Sequence, residues 1–491
     1  MHPCVLALFA LHAASASPTL HYTLTPTAGT LHVELRAKGI PPNTKPVLPT
    51  HWGNATDLGH AIRNLQHHSS SHLSYDLIQD WQGDLRESVR HRPHLTNTYL
   101  EIGTQNGLIY PELPPDGRII ITFDWRLPPG WSLATSFGAR ANARRYKQRF
   151  QGPLHQFVNA WFTAGDFRLA RHKVQGGEVV TAIRGQFAFD DTAFHHAILK
   201  LIRYERAFFE DHRFPYFLVT LAPFGKGQSG SGGGGFTNAF NLHTAPESKL
   251  TTGLLSLIAH ETFHTWNPLR MGRIASPQSQ SAWFSEGFTR YYQDILLLEA
   301  GLMQPQEYLD ALNTRIREYH LQRHNPDDQL PRLGFLFALW LDAQHPLDPL
   351  LRHLVKDRNP VFDKPRILAA IAHYYGTATA ETVARHLDSN QPVTMPTKTR
   401  IPCAAPHPVE MHAFDLGMDR AALIESRRVT NLNPNGNAAR AGLREGDAIR
   451  GISIYWNDTD KPVKLTTRDG RTFTYLPHGE SLGTVPQYRC P

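Results

Sequence analysis

The stretch His260-Glu261-Thr262-Phe263-His264 decides how this chain is read. On an α-helix, residues four apart lie on one face, about 40° apart around the axis. Both imidazoles can therefore reach one metal ion, with Glu261 flanking it. The context suits the motif, because Leu254-Leu255-Ser256-Leu257-Ile258-Ala259 just before it makes good helix interior. The chain carries 28 histidines, so a chance His-Glu-x-x-His has to be weighed. Alone, the pair is suggestive.

A third ligand turns the pair into a site. Ser281-Ala282-Trp283-Phe284-Ser285-Glu286-Gly287-Phe288-Thr289-Arg290-Tyr291-Tyr292 reads as a helix whose apolar stripe is interrupted by Glu286. A carboxylate amid Trp283, Phe284, Gly287 and Phe288 is costly to bury unless a cation or a metal neutralises it. The alternative for these residue types is an exposed Glu286 paired with Arg290 four residues on. Two histidines and one carboxylate with an open fourth position make a catalytic zinc arrangement, not a structural one. The sequence thus predicts one Zn2+ held by His260, His264 and Glu286, with Glu261 as general base in peptide hydrolysis.

These residues also carry a resemblance. His260 through Arg270 (HETFHTWNPLR) and Trp283 through Tyr292 (WFSEGFTRYY) resemble the PDZ-containing zinc metallopeptidases of the glycyl aminopeptidase family, gluzincins with a thermolysin-like catalytic domain. The likeness extends from the β-rich start to the C-terminal segment. It implies the same assignments for His260, His264, Glu286 and Glu261, and supporting roles for Asn267 and Arg270. It also implies aminopeptidase action on peptides with small N-terminal residues such as Gly or Ala. An endopeptidase acting on unfolded chains is the near variant.

Before the motif lies a glycine run, Gly232-Gly233-Gly234-Gly235-Phe236-Thr237-Asn238. Glycines let a substrate backbone approach closely along an edge strand, so Gly234, Gly235 and Phe236 are the expected substrate-binding residues. A solvated surface loop is the alternative, and Lys226 to Ser231 has the composition for one. The resembling enzymes read Gly-Gly-Leu-Glu-His here, with the glutamate holding the free amine; this chain has Thr237 at that position. They also place an oxyanion-stabilising tyrosine in a Pro-Tyr-x-x-Gly segment. The matching stretch, Gln329-Leu330-Pro331-Arg332-Leu333-Gly334-Phe335, has no tyrosine. Arg332, read as an exposed loop residue, and Tyr291, Tyr292, Tyr374 and Tyr375 are the other donors on offer.

The rest of the chain arranges itself around this region. From Thr19 to Phe189, short alternating runs such as Leu20–Leu24, Leu31–Leu35 and Arg118–Phe123 read as strands of a sandwich. From Thr192 the period becomes helical: Ala193–Glu210, Leu250–Trp266, Trp283–Ala300, Gln306–Leu321, Gly334–Asp342 and Lys364–His373, with Tyr216–Leu221 as a strand. Gln391 to Pro408 reads as a linker. Beyond it, Val429-Thr430-Asn431-Leu432 and Asn435 to Ile449 resemble the core of bacterial PDZ domains. There Phe414-Asp415-Leu416-Gly417-Met418 would form the loop and edge strand that take a C-terminal peptide. The expected class is multidomain α+β. It comprises an N-terminal β-sandwich-like domain (17–190), a mostly helical thermolysin-like zinc domain (191–395) and a C-terminal PDZ-like domain (405–490).

Composition bounds the remainder. At 491 residues the chain is long enough for roughly three domains, and 41% hydrophobic content is enough for real cores. The net charge of +7 is spread out, and its densest cluster, Arg140 to Arg149, reads as a solvated loop, so no nucleic-acid partner is expected. No apolar run reaches 18 residues, so no transmembrane segment is predicted. Val5 to Leu11 followed by Ala14-Ser15-Ala16 reads as a signal peptide over 1–16 and a secreted or periplasmic location. In an oxidising space Cys403 and Cys490 can bridge and close the last segment into one loop, whereas two unrelated thiols are the alternative. The partners expected are a peptide or unfolded protein substrate and a C-terminal peptide ligand. The competing class is a non-catalytic zinc-containing protein that binds peptides through its C-terminal domain.

Overall fold

Strand periodicity at the N-terminus translates directly into paired strands. Thr19–Thr27 and Thr30–Lys38 form a hairpin in which Leu24 faces Val33 and Tyr22 faces Leu35. The computed structural model describes residues 17–491, apart from 214, 226, 227, 229, 275–280, 322–325, 358, 360 and 457. The signal-like segment 1–16 therefore lies outside the described residues. Contacts divide the chain into two compact units. The first takes the described residues up to 275 with 292–303 and 348–362, and the second takes 276–291, 304–347 and 363–491.

The first unit begins with a six-stranded and a five-stranded sheet. Their inward side chains, among them Leu20, Tyr22, Ile121, Phe123 and Trp125 from one and Leu100, Ile102, Leu133 and Phe162 from the other, make one continuous core. A second five-stranded sheet runs in the order Arg168–Val174, Gly177–Ile183, Tyr216–Pro223, Ala239–Thr244, Ser231–Phe236. The glycine run is thus a strand at the edge of this sheet, antiparallel to Ala239–Thr244. The helix Asp191–Phe208 is capped by the Asp190 carboxylate, which accepts from the Ala193 N–H at 2.7 Å. The motif helix, Thr252–Phe263, is capped in the same way by Thr251.

In the second unit, the short helix Ala282–Ser285 and Gly287 pack on the helix Pro326–Asp342. A β-carbon on Gly287 would sit 2.7 Å from the Gly334 Cα, so the two backbones approach as closely as glycines allow. That helix begins earlier than the period suggests. Gln329 to Phe335 is helix with Pro331 inside it, and Arg332 is therefore a half-buried helix residue, not an exposed loop residue. The helix Thr377–Ser389 follows Lys364–Tyr375.

The segment read as a linker is tied down, since Arg400 makes a forked bond to Asp342 at 2.7 and 3.0 Å and the Tyr488 hydroxyl donates to Pro396. Its last residues belong to the strand Ala405–Phe414, which pairs with His478–Arg489. A separate core gathers Leu423, Val429, Ala438, Ile449, Val463 and Leu465. The short helix Asn437–Arg440 packs into it, and Gly446 takes a φ of 84° in the turn before Ile449–Ser453. Cys403 and Cys490 are bridged across a separation of 87 residues. Loop-closure entropy over that separation puts the cost of Cys490→Ser at about 4–5 kcal/mol. Guanidinium unfolding of the variant and of the reduced parent should show the same loss; an unchanged midpoint in both would remove the staple's role. Among the described residues no helix is long and apolar enough to cross a membrane.

Candidate metal centre

The motif helix carries its apolar residues Leu254, Leu255, Ile258, Ala259 and Phe263 into the core, which leaves His260, Glu261 and His264 half-buried on its other side. The backbone still turns helically through His264, whose N–H reaches the His260 carbonyl at 3.3 Å. The two Nε2 atoms are 3.1 Å apart, with the rings edge to face. Each ring is fixed from behind. His260 Nδ1 donates to Gln293 Oε1 at 2.8 Å and His264 Nδ1 donates to the Asn267 carbonyl at 2.8 Å. Those bonds take up the Nδ1 protons and leave both Nε2 lone pairs facing each other. Two lone pairs at that distance repel unless a proton or a metal ion lies between them. The separation also matches the edge, about 3.3 Å, of a tetrahedral site with metal–nitrogen bonds near 2.0–2.1 Å.

Support continues behind His260. The Gln293 amide donates to Ser256 Oγ, and Ser256 Oγ–H donates to Asp294. Gln293 and Asp294 are 6% and 2% exposed, so this chain of bonds is dry and holds the imidazole in one tautomer. The sequence reading missed it. Its one signal is a pair of polar residues, Gln293-Asp294, inside an otherwise apolar helical run.

Asn267 and Arg270 fill structural places. The Asn267–Pro268 peptide is cis, and the Asn267 carbonyl orients His264. Arg270 pairs with buried Asp211 at 2.8 Å, and Asp211 also accepts from Arg213 Nε at 2.9 Å and Trp266 Nε1 at 3.3 Å. Burial by itself would raise the Asp211 pKa, but the Arg213 hydrogen bond and the Arg270 charge outweigh it and hold it below the usual value. Beneath the helix, Thr262 Oγ1 donates to Glu205 at 2.8 Å. Glu205 is wholly buried, which pushes its carboxyl pKa well up.

The glycine strand runs along the motif helix. A β-carbon on Gly235 would lie 3.1 Å from the Glu261 carbonyl, 3.2 Å from His264 Cβ and 3.8 Å from Glu261 Oε2. Glycine is what lets this strand pass so near Glu261 and His264. On Gly233 a β-carbon would meet the Asn241 carbonyl at 2.6 Å, and the Gly233 carbonyl itself accepts from Arg90 Nη1 at 2.7 Å. The expectation for Phe236 needs correcting at its side chain. It is 3% exposed, with its ring packed on Trp161 at 4.8 Å and Trp52 at 5.6 Å, so only the backbone of this residue is on offer. Thr237 lies in the turn that follows, its N–H bonded to the Asn159 carbonyl at 2.7 Å.

Glu286 belongs to the second unit and continues the helical backbone, its N–H bonding to Ala282 and its carbonyl accepting from Arg290 at 2.8 Å. It is half-buried. Of the other donors considered for an oxyanion, Tyr291 is buried with its hydroxyl bonded to Asp342 at 2.8 Å, Tyr292 bonds Asp348 at 2.6 Å, and Tyr375 bonds the His345 carbonyl at 3.1 Å.

Residues 253–332, which span both motifs, match the family described as M61 glycyl aminopeptidase. Together with the histidine geometry, that match makes the chain a metallopeptidase. In fold it is similar to the crystal structure of an aminopeptidase N family protein from Idiomarina loihiensis, at 17% identity and a TM-score of 0.65, over 95% of this chain and 97% of that one. It is also similar to a variant of the M1 zinc metallopeptidase from Deinococcus radiodurans, at 14% identity and a TM-score of 0.51, over 78% and 96%. No curated protein sequence matches it.

Proposed function

We propose that this chain is a zinc-dependent aminopeptidase for peptides with small N-terminal residues, in which His260, His264 and Glu286 hold one Zn2+ and Glu261 is the general base. The observation that carries the reading is the facing pair of Nε2 lone pairs 3.1 Å apart, each with its Nδ1 proton committed elsewhere. Glu286 precedes Gln293 by seven residues, two turns along one helical run, which puts both on one face. The preference for small N-terminal residues rests on the family match, and zinc is supported by the name of the Deinococcus protein.

Bound zinc would supply Lewis acidity, lowering the pKa of water and polarising a carbonyl. The glycine strand would take the substrate backbone by strand addition at Gly234 and Gly235, beyond the Gly233 carbonyl that Arg90 holds, which brings the scissile bond alongside Glu261. Glu261 would then accept the proton of the attacking water and return it to the leaving amine nitrogen. The Gln293 and Asn267 bonds hold both imidazoles in the tautomer that presents Nε2. The C-terminal residues 405–490 are assigned as a PDZ-like domain that takes a C-terminal peptide. A secreted or periplasmic setting is supported by the Cys403–Cys490 bridge.

Two measurements test this. Zinc content should fall at least tenfold in Glu286→Ala relative to the parent, and equal content would remove Glu286 from the ligand set. Ala- and Gly-initiated peptides should be cleaved with free N-termini and resist once acetylated. Equal cleavage of both would make the enzyme an endopeptidase.

A further inference from the structure

A second cluster of metal-ligand residue types lies on the strands behind the glycine run. His94 on the strand His94–Leu95, Glu101 on Tyr99–Gly103 and His243 on Ala239–Thr244 each bring a donor atom within 4.8 Å of the other two. All three side chains are wholly buried. Glu101 Oε2 is 3.0 Å from His243 Nε2 and 3.4 Å from His94 Nδ1. Trp81 meets the His94 ring edge-on at 5.5 Å, Phe224 stacks on His243 at 5.9 Å, and Leu85 and Val89 complete an apolar wall.

Hydrogen bonds alone do not satisfy this cluster. His94 faces acceptors on both sides, the Glu101 carboxylate at Nδ1 and the Val89 carbonyl at Nε2, 3.3 Å away. A neutral imidazole has one proton to give. Glu101 Oε1 and His243 Nδ1 have no hydrogen-bond partner. Among the described residues, Glu101 forms ion pairs with these two histidines and with no lysine or arginine. A carboxylate without solvent or a fixed cation is costly by several kcal/mol.

We propose that His94, Glu101 and His243 form a second divalent-cation site, of zinc-type chemistry and structural in role. His94 Nδ1, His243 Nε2 and Glu101 Oε2 supply three donors, Glu101 Oε1 can close the shell as the second arm of the carboxylate, and His94 Nε2–H then donates to the Val89 carbonyl as ligating histidines do. The separations of 3.0 and 3.4 Å bracket the edge, about 3.3 Å, of a tetrahedron with bonds near 2.0–2.1 Å. Closed off from water, the ion would activate nothing. It would lock His243, whose strand partner is Gly232, to the strands that carry His94 and Glu101. Val89 is followed by Arg90, which holds the Gly233 carbonyl, so the same ion braces the glycine strand from two directions.

Metal counting on the purified full chain tests the site without touching it. After saturation with zinc and removal of excess, the parent should retain two equivalents and His260→Ala/His264→Ala should retain one. X-ray absorption on that double variant should show imidazole and carboxylate donors at 2.0–2.1 Å. His243→Ala, checked for folding by circular dichroism, should also retain one. A parent with one equivalent that drops to zero in the His260→Ala/His264→Ala variant overturns the proposal and leaves the cluster as a protonated ion pair. One equivalent that survives in that variant supports this site and removes the motif pair as ligands.

Discussion

Glu261→Gln is expected to retain zinc and lose about three orders of magnitude in kcat, with KM little changed. The substitution keeps the shape and the polar contacts of a half-buried side chain, so the fold and the two imidazoles should survive it. What disappears is the ability to accept a proton from water. A positioned general base contributes about 10²–10⁴-fold, and a thousandfold loss corresponds to about 4 kcal/mol of transition-state stabilisation. The effect should fall on kcat because the glycine strand, proposed to take the substrate backbone, is untouched. A variant within tenfold of the parent would mean that another group takes the proton. A parent that binds zinc yet hydrolyses no peptide faster than the variant would make the protein a non-catalytic peptide-binding scaffold.

Asp211→Asn should cost about 3 kcal/mol of folding stability at neutral pH while leaving zinc affinity within a fewfold of the parent. Asp211 is 1% exposed and serves Arg270, Arg213 and Trp266 at once. The amide removes the charge that offsets Arg270, which is itself buried enough for its pKa to be lowered. Breaking a buried pair from one side is the expensive case. Arg213 is more than half exposed and recovers solvation, so the loss belongs at the low end of the usual 3–5 kcal/mol. The pH dependence has a definite sign. The Asp211 carboxyl is lowered in the folded state, so its contribution is complete above the unfolded value near 4 and is lost as pH falls through the folded one. Guanidinium midpoints of the parent should therefore drop more steeply below pH 4 than those of the variant. Parallel curves, or a loss under 1 kcal/mol at pH 7, would show that Asp211 carries no such load.

The elements that follow a clean period could be read without coordinates. The hairpin Thr19–Thr27/Thr30–Lys38 alternates, the helix Asp191–Phe208 repeats at helical spacing, and His260 and His264 need only one turn of helix to meet. From composition the glycine run reads either as an edge strand or as a surface loop, and the structure makes it the edge strand. Other features resisted for physical reasons. Pro331 hides the start of the helix Pro326–Asp342, because a proline inside a helical pattern argues for a break. Thr377–Ser389 opens on Thr and Ala, and its apolar stripe is only Ala380, Val383 and Leu387. Phe236 looked available because it adjoins glycines, and only its packing on two tryptophans shows that it belongs to the core. His94, Glu101 and His243 are spread over about 150 residues, so no local spacing announces them.

The half-buried stretch Gly234-Gly235 of the glycine strand has a consequence for how long a visitor would stay. A guest held there through main-chain amides would be gripped the same way whatever the side chains along its length are. Beyond the first residue, such a berth would tolerate many cargoes and let each leave quickly after scission. Discrimination would then fall to the ends of the guest, where a charged terminus either finds a counterpart or does not.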